Sequence, residues 1–199
     1  MKQAAALTAV VLGAVLCSQA DMASVPMSYH GAGGAFGQTS LYRADVSVTG
    51  IGSIRGVQIT DNLSLRGSTG VFSGLDVDGA FFDRDGDLST EDDRILARTG
   101  PETFLTPGAI DKQYTSAYQP TEMHPGPLFG TNPDGTIDHD TATLGEMDAC
   151  FHEGVANLAV DTCDGWLTLG DGGSLSLAFP LFTLDETQSM YLFIGDAGQ

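Results

Sequence analysis

Short runs of alternating apolar and polar residues, separated by turns rich in glycine and aspartate, recur along this chain of 199 residues. Such alternation places successive side chains on opposite faces of a strand, so that one face can be buried while the other meets water. The runs lie at 41–48, 57–65, 71–83, 166–179 and 191–195. Because short strands at this spacing favour antiparallel pairing, we predict an all-β fold, an antiparallel β-sandwich of jelly-roll-like type with long loops.

Composition limits the helical content. The chain has 26 glycine and 8 proline residues, and both residue types are unfavourable inside helices. One short helix is predicted over 89–98, with the sequence STEDDRILAR. Ser89 can cap its first turn, the acidic residues 91–93 lie near the positive end of the helix dipole, and Arg94 and Arg98 lie near its negative end.

Three strands are expected near the C-terminus, two of them in a hairpin. The segment 164–179, DGWLTLGDGGSLSLAF, alternates on both sides of a Gly-Asp-Gly-Gly turn and predicts a β-hairpin. Trp166 begins its first arm, so we expect this ring to be buried. The segment YLFIG at 191–195 predicts another strand, which would lack a partner if the chain were truncated.

The N-terminus has the pattern of a signal peptide. Lys2 precedes an apolar stretch at 4–16, and Ser18 and Ala20 are the small residues that favour cleavage after Ala20. We therefore predict a secreted, extracellular or cell-surface protein that passes through the periplasm and has no membrane insertion after cleavage.

The domain plan that follows has three parts. Residues 1–20 are the signal peptide, and 21–40 form a Gly-rich leader that is either mobile or an irregular first strand. Residues 41–199 form a single β-sandwich domain, either complete or truncated at its C-terminus.

Two cysteines remain after the predicted cleavage, which removes Cys17. Cys150 and Cys163 form an even pair in an exported chain, and this favours a disulfide. The chain-entropy model gives such a bridge, over a loop of about 14 residues, about 3 kcal/mol. A redox or metal-binding pair would need closer spacing or nearby ligands.

The charge balance excludes one class of partner. There are 26 acidic residues against 8 lysines and arginines, for a formal net charge of −18. Nucleic-acid binding needs a basic surface, so we expect no nucleic-acid partner. The acidity has two open explanations, a bound cation or a saline habitat in which salt screens self-repulsion.

An acidic segment, LDVDGAFFDRDGDLSTEDD at 75–93, is the strongest candidate site. Alternating aspartates in a loop offer the hard oxygen ligands that Ca²⁺ requires. When Gly86 is aligned with the glycine of an EF-hand-like loop, the third, fifth, seventh, ninth and twelfth positions are taken by Asp83, Asp85, Asp87, Ser89 and Asp92. The first position falls on Phe81, which cannot bind a cation, so that Asp78 or a backbone carbonyl must supply this ligand. The predicted ligands are Asp78, Asp83, Asp85, Asp87, Ser89 and Asp92. The alternative is a solvated acidic turn followed by a capped helix.

Several segments together resemble a group of bacterial secreted proteins of the PEP-CTERM or VPLPA-CTERM type. They are FSGLDVDGAFFD, HPGPLFG, DGTIDHDTATLGEMDA, DGWLTLGDGGSLSLAF and YLFIGDAG. The resemblance implies a β-rich protein sorted to the cell surface or extracellular matrix by an exosortase-like system, with extracellular polysaccharide or matrix components as partners. The sorting tail of that group is missing from this sequence, and the group has no agreed activity.

Three functions are compatible with these features. The first is a structural protein with a calcium-stabilised acidic loop and no catalysis. The second is a carbohydrate-binding module in which Tyr114 and Tyr118 form an exposed aromatic pair. The third is an acidic extracellular hydrolase, although a Gly-x-Ser-x-Gly motif is missing.

Overall fold

The chain forms two antiparallel β-sheets in a computed structural model that describes residues 8–13, 22–33, 39–61, 72–89, 93–97, 100–110, 128–142, 144, 165–184 and 188–197. The strands are β1 Thr8–Gly13, β2 Met22–Pro26, β3 Ser28–Gly33, β4 Thr39–Asp45, β5 Ser53–Thr60, β6 Asp76–Asp83, β7 Ile95–Leu96, β8 Phe104–Thr106, β9 Leu167–Thr168, β10 Ser174–Thr183 and β11 Tyr191–Asp196. A 3₁₀ helix, Ser47–Thr49, joins β4 to β5 and ends at Gly50.

The strands divide into two sheets, in which some sequence neighbours pair directly, such as β1 with β2 and β3 with β4, while others lie in different sheets. One sheet has the order β2-β1-β5-β10-β8, and the other has the order β3-β4-β11-β6-β7, with β9 also paired to β6. Every pairing between these named strands is antiparallel. The predicted all-β antiparallel sandwich is therefore confirmed, while the jelly-roll arrangement stays a prediction.

The apolar core lies between the two sheets. Its fully buried side chains come from both of them, because period-two alternation aims every second residue inward. The largest are Phe82, Phe193, Ile54, Ile59, Leu167, Leu169, Leu175, Leu192 and Ile194, of which Phe193 alone lies outside the central core cluster. The alternation at 41–48 predicts one apolar face with Tyr42, Ala44, Val46 and Val48. The first three are buried as predicted, whereas Val48 lies in the 3₁₀ helix and is 77% exposed.

Strand β6 positions the candidate site. Its residues Asp76–Asp83 are all buried, and it pairs with β11 along one edge. The pairing has an irregularity at one point, since Gly195 lies opposite Gly79 but Asp196 lies opposite Val77. Asp78 is the extra residue of this bulge, so it and Asp76 both lie on the side of the strand opposite the core residue Val77.

The short helix predicted over 89–98 is wrong where the structure describes this segment. Ile95–Leu96 form β7, which pairs with Phe82 and Phe81 of β6, and Ala97 donates its amide to the Ala80 carbonyl at 3.2 Å. The edge of β6 offers backbone partners that a helix could not use, and Ile95 packs against the core. Tertiary pairing thus overrides the local capping signals.

The predicted C-terminal hairpin is also wrong, although both of its arms are strands. β9 pairs with β6 in one sheet, whereas β10 pairs with β5 and β8 in the other. The turn at 170–173 therefore crosses between the sheets. The alternation in both arms is compatible with either topology, because Leu167 of β9 and Leu175 of β10 are both fully buried although they belong to opposite sheets.

The remaining C-terminal expectations are confirmed. Trp166 is buried, with 8% of its surface exposed. β11 lies in the interior of its sheet, between β4 and β6, so that both of its edges are paired.

Three strands lie in the segments predicted as signal peptide and leader. β1 lies within 1–20 and pairs with both β2 and β5, while β2 and β3 lie within 21–40 and join different sheets. Cleavage after Ala20 would therefore remove a strand from the interior of the five-stranded sheet.

Candidate metal centre

Asp83 is the last residue of β6 and the centre of the candidate site. It is fully buried, with 0% of its surface exposed, and it lies opposite Tyr191 of β11. Its Oδ1 atom accepts hydrogen bonds from the amides of Asp85, at 3.2 Å, and Gly86. Its Oδ2 atom is buried and has no hydrogen-bond partner among the described residues. A buried carboxylate oxygen without a partner is costly, and a cation would remove that cost.

Gly86 allows the chain to turn away from the sheet. Its φ of +76° lies in the left-handed region, and a Cβ there would approach the Tyr191 ring to 3.1 Å. The Arg43 guanidinium also lies against this ring, with its carbon 4.9 Å from the ring centroid. The beginning of the acidic loop is therefore packed onto the outer face of the sheet.

The loop continues through a chain of aspartate turns. Asp85 Oδ1 accepts the Asp87 amide at 2.8 Å, and Asp87 Oδ1 accepts the Ser89 amide at 2.9 Å. All three residues are exposed. Hydrogen bonds from the Ser89 hydroxyl and amide lower the pKa of the Asp87 carboxyl. Such bonds satisfy the backbone locally and orient successive carboxylates along the loop.

Asp93 brings a third carboxylate to Asp83 from the far end of the loop. It lies just before Arg94 and β7, and its Oδ1 atom is buried without a hydrogen-bond partner in the part of the chain that the structure describes. One carboxylate oxygen from each of Asp83, Asp85 and Asp93 lies within 4.8 Å of the other two. Oxygens on opposite sides of a Ca²⁺ ion are about 4.6 to 5.2 Å apart, so one ion can contact all three.

The electrostatics of the site favour a cation. Burial raises the pKa of the Asp83 carboxyl, the Gly86 amide opposes this by lowering it, and the nearby Asp93 raises it further. Two unit charges 4 Å apart repel by about 4 kcal/mol at an effective dielectric constant of 20. A divalent ion would turn this repulsion into attraction.

The structure brings together only part of the predicted ligand set. Asp83 and Asp85 meet, whereas Asp87 and Ser89 bond to each other farther along the turn. Asp78 lies five residues before Asp83 on an extended strand, roughly 16 Å away, where its Oδ2 atom accepts the Thr39 hydroxyl at 2.6 Å. Asp92 lies outside the described residues.

Asp93 was missed by sequence reasoning. The EF-hand-like spacing counts along a continuous loop and selects Asp92, the neighbouring residue. The choice between two adjacent aspartates depends on where the chain rejoins the sheet at β7, and that is set by pairing with β6. The only sequence feature that indicated Asp93 was the adjacent pair Asp92 and Asp93 at the end of the loop.

A second pair of buried carboxylates lies at the other end of β6. Asp76 accepts a short hydrogen bond from the Thr168 hydroxyl, and its own amide donates to Asp196 Oδ1 at 3.4 Å. Burial raises the pKa of Asp76 well above its usual value, while the Thr168 bond lowers it and the Asp196 charge raises it further. Asp76 and Asp78 are 2% and 0% exposed, so each buries its carboxylate beside a threonine hydroxyl.

Other sequence-derived candidates receive no structural test. Tyr114, Tyr118, Cys150 and Cys163 lie outside the described residues. Both the glycan contacts and the disulfide therefore stay predictions.

Comparison with known proteins adds no assignment. No protein-family model, no curated protein and no solved structure matches this chain. In the described part of the chain, no helix has the length and apolar character needed to cross a membrane.

Proposed function

We propose that this chain is a secreted or cell-surface structural protein of the extracellular matrix, whose acidic loop is stabilised by Ca²⁺ and which acts without catalysis. The observation that carries the proposal is the buried Asp83 Oδ2 atom, which lacks a hydrogen-bond partner among the described residues and belongs to a carboxylate within reach of Asp85 and Asp93. An acidic loop made only for solubility would leave its carboxylates in water.

The donor set supports a hard divalent cation. All three side chains offer carboxylate oxygens, which suit Ca²⁺ better than softer metals that prefer histidine or cysteine. Their separation also allows the longer metal–oxygen distances of Ca²⁺. Backbone carbonyls and water would supply the remaining ligands.

The position of the site supports a structural role for the ion. Asp83 ends β6 and Asp93 precedes β7, and these two strands pair with each other. An ion held by both residues would close the loop that joins two paired strands. Its free energy of binding would then add directly to the free energy of unfolding.

The proposed extracellular location is supported by the sequence. The N-terminal pattern at 1–20 and the resemblance to exosortase-sorted proteins both favour export, and Ca²⁺ is abundant outside cells. Matrix components or polysaccharide are the partners that the resemblance implies.

Thermal unfolding in Ca²⁺ and in EDTA tests the proposal. At ten times the dissociation constant, the ion adds about 1.4 kcal/mol, which raises the Tm of a chain of this size by about 4 °C. Asp83→Asn should remove this increase. Asp134→Asn is the matched control, because Asp134 lies in another Asp-Gly turn and accepts bonds from the Thr136 amide and hydroxyl.

Two results would contradict the proposal. Equal Tm values in Ca²⁺ and EDTA for the parent chain would show that Ca²⁺ does not stabilise the fold. A similar increase in NaCl at matched ionic strength would favour general screening of the acidic surface instead.

A further inference from the structure

We infer that Arg94 is a positioning residue that holds the three-carboxylate site in its binding geometry before the ion arrives. This inference rests on the proposed function, since it concerns the same site. It assigns to one side chain the task of keeping mutually repelling carboxylates together. Arg94 itself does not contact the ion.

Arg94 makes two contacts that tie the loop to the sheet. Its Nη2 atom donates to the Leu88 carbonyl at 2.7 Å, in the middle of the loop. Its guanidinium carbon lies 4.8 Å from the centroid of the Phe81 ring, on β6. The guanidinium of the residue that follows Asp93 therefore connects the middle of the loop to the strand that precedes the loop.

Phe81 provides a rigid surface for the Arg94 guanidinium. The ring is buried and stacks on Phe193 of the neighbouring strand β11, with centroids 5.2 Å apart. A guanidinium can lie on an aromatic face and still direct an N–H group outward from its edge, whereas a lysine ammonium cannot do both in the same way. The contact thus depends on the shape of arginine as well as on its charge.

The three carboxylates of the site need a restraint because they carry like charges. The carboxylates of Asp83, Asp85 and Asp93 converge within 4.8 Å, and their mutual repulsion opposes that arrangement. Backbone amides of the loop orient the carboxylates of Asp83 and Asp85. Arg94 restrains the far end of the loop, where Asp93 enters the site.

The charge of Arg94 and its positioning role have opposite effects on ion affinity. A positive charge beside a divalent cation weakens binding, so that removal of the charge alone should strengthen it. Loss of positioning should weaken binding, and loss of groups that orient metal ligands commonly costs 10- to 100-fold in affinity. The sign of the change therefore separates the two roles.

The experiment uses the full chain and Tb³⁺ as a luminescent substitute for Ca²⁺, with Ca²⁺ competition to obtain the Ca²⁺ affinity. Tyr191, which contacts the loop at Gly86, can sensitise the emission. We expect Arg94→Met to weaken Ca²⁺ binding about tenfold, and Arg94→Lys to weaken it despite keeping the charge. Arg84→Met is the matched control, because Arg84 is an exposed arginine in the same loop, and its removal should leave affinity unchanged or slightly higher.

The outcomes distinguish this inference from the proposed function. If the parent chain shows no Tb³⁺ emission and no Ca²⁺ competition, the metal site itself is wrong and this inference fails with it. If the parent binds and Arg94→Met binds equally well or more tightly, only the positioning role is wrong. Thermal melts in EDTA show whether each variant is folded, and a folded Arg94→Lys chain keeps the test decisive even if Arg94→Met unfolds.

Discussion

A carboxylate oxygen of Asp93 lies within 4.8 Å of one from Asp83, although the whole acidic loop separates these residues in the chain. The approach is a consequence of strand pairing, because β7 returns along the edge of β6 and carries Asp93 back to the point where the loop began. The loop is thus closed at its base by two like charges. This arrangement is stable only with a cation, a proton or strong local restraint.

Asp93→Asn should abolish the Ca²⁺-dependent rise in Tm, whereas Asp87→Asn should preserve it. Asp93 shares the site with Asp83, while Asp87 is exposed and bonds to Ser89. Differential scanning fluorimetry in Ca²⁺ and in EDTA measures both increments. Loss of the increment in Asp87→Asn with retention in Asp93→Asn would restore the EF-hand-like ligand order instead.

Asp76→Asn should flatten the pH dependence of stability in EDTA. Burial raises the pKa of Asp76 in the folded state, so the folded chain keeps a proton that the unfolded chain releases from about pH 4 upward. The stability associated with this proton is fully present at lower pH and is lost as pH rises through the folded pKa. Asparagine keeps an acceptor for Thr168 without a charge, so urea unfolding near neutral pH should need more denaturant than in the parent.

Asp134→Asn provides a control with the opposite pH dependence of stability. Hydrogen bonds from Thr136 lower the pKa of Asp134, so its contribution is present above about pH 4 and is lost as pH falls. If both variants lose stability equally at neutral pH, Asp76 is not a buried carboxyl that prefers its proton.

Gly108→Ala should destabilise the fold by about 3 kcal/mol. A Cβ at this position would lie 2.4 Å from both the Asp171 carbonyl oxygen and the Gly173 amide nitrogen, which are backbone atoms with no freedom to move aside. The Gly108 amide also donates to the Leu169 carbonyl at 2.8 Å, so a shift would break that bond. Chemical denaturation measures the loss.

Gly52→Ala is the comparison for this prediction. A Cβ there meets no atom within 4 Å, so we expect a change between zero and a gain of about 1 kcal/mol. Equal effects at the two glycines would mean that the turn at 170–173 does not pack against Gly108.

Removal of residues 1–20 should expose the edge of β5. β1 pairs with β5 from Thr60 to Ile54, and it is also the strand that joins β2 to this sheet. In a chain that begins at residue 21, the β5 amides that bond to β1 should exchange with solvent about tenfold faster or more in hydrogen-exchange mass spectrometry. The amides of β11, which is paired on both sides, should be unaffected.

Unchanged protection of β5 would show that another segment takes the place of β1 after truncation. Loss of protection in both β5 and β11 would instead show that residues 8–13 are needed for the whole fold.

The main class of fold was predictable from residue patterns. Alternation at 41–48 correctly placed Tyr42, Ala44 and Val46 in the core, because a strand has only two faces and one of them must be buried. It was wrong for Val48, which is exposed because β4 ends at Asp45. The segment YLFIG was correctly predicted as a strand for the same reason. The apparent hairpin at 164–179 was wrong because alternation is a property of each strand separately and contains no information about which sheet the strand joins.

The candidate site was predictable in part. Asp83 and Asp85 were identified by their spacing around Gly86, since a tight turn with left-handed geometry needs glycine and brings neighbouring aspartates together. Asp78 was assigned to the same site because it is near in sequence, but an extended strand carries it away from Asp83. The contacts of Arg94 depend on β7, which local helix signals had concealed.

The sequence by itself determined that this chain builds strands and turns, carries an excess of acidic groups and clusters them around one glycine turn, because these properties depend on residues close together along the chain. Only the tertiary structure decided which aspartates meet, since Asp93 reaches Asp83 through the pairing of β7 with β6. Pairing between distant strands depends on the fit of two edges in space, and local residue preferences cannot specify that fit.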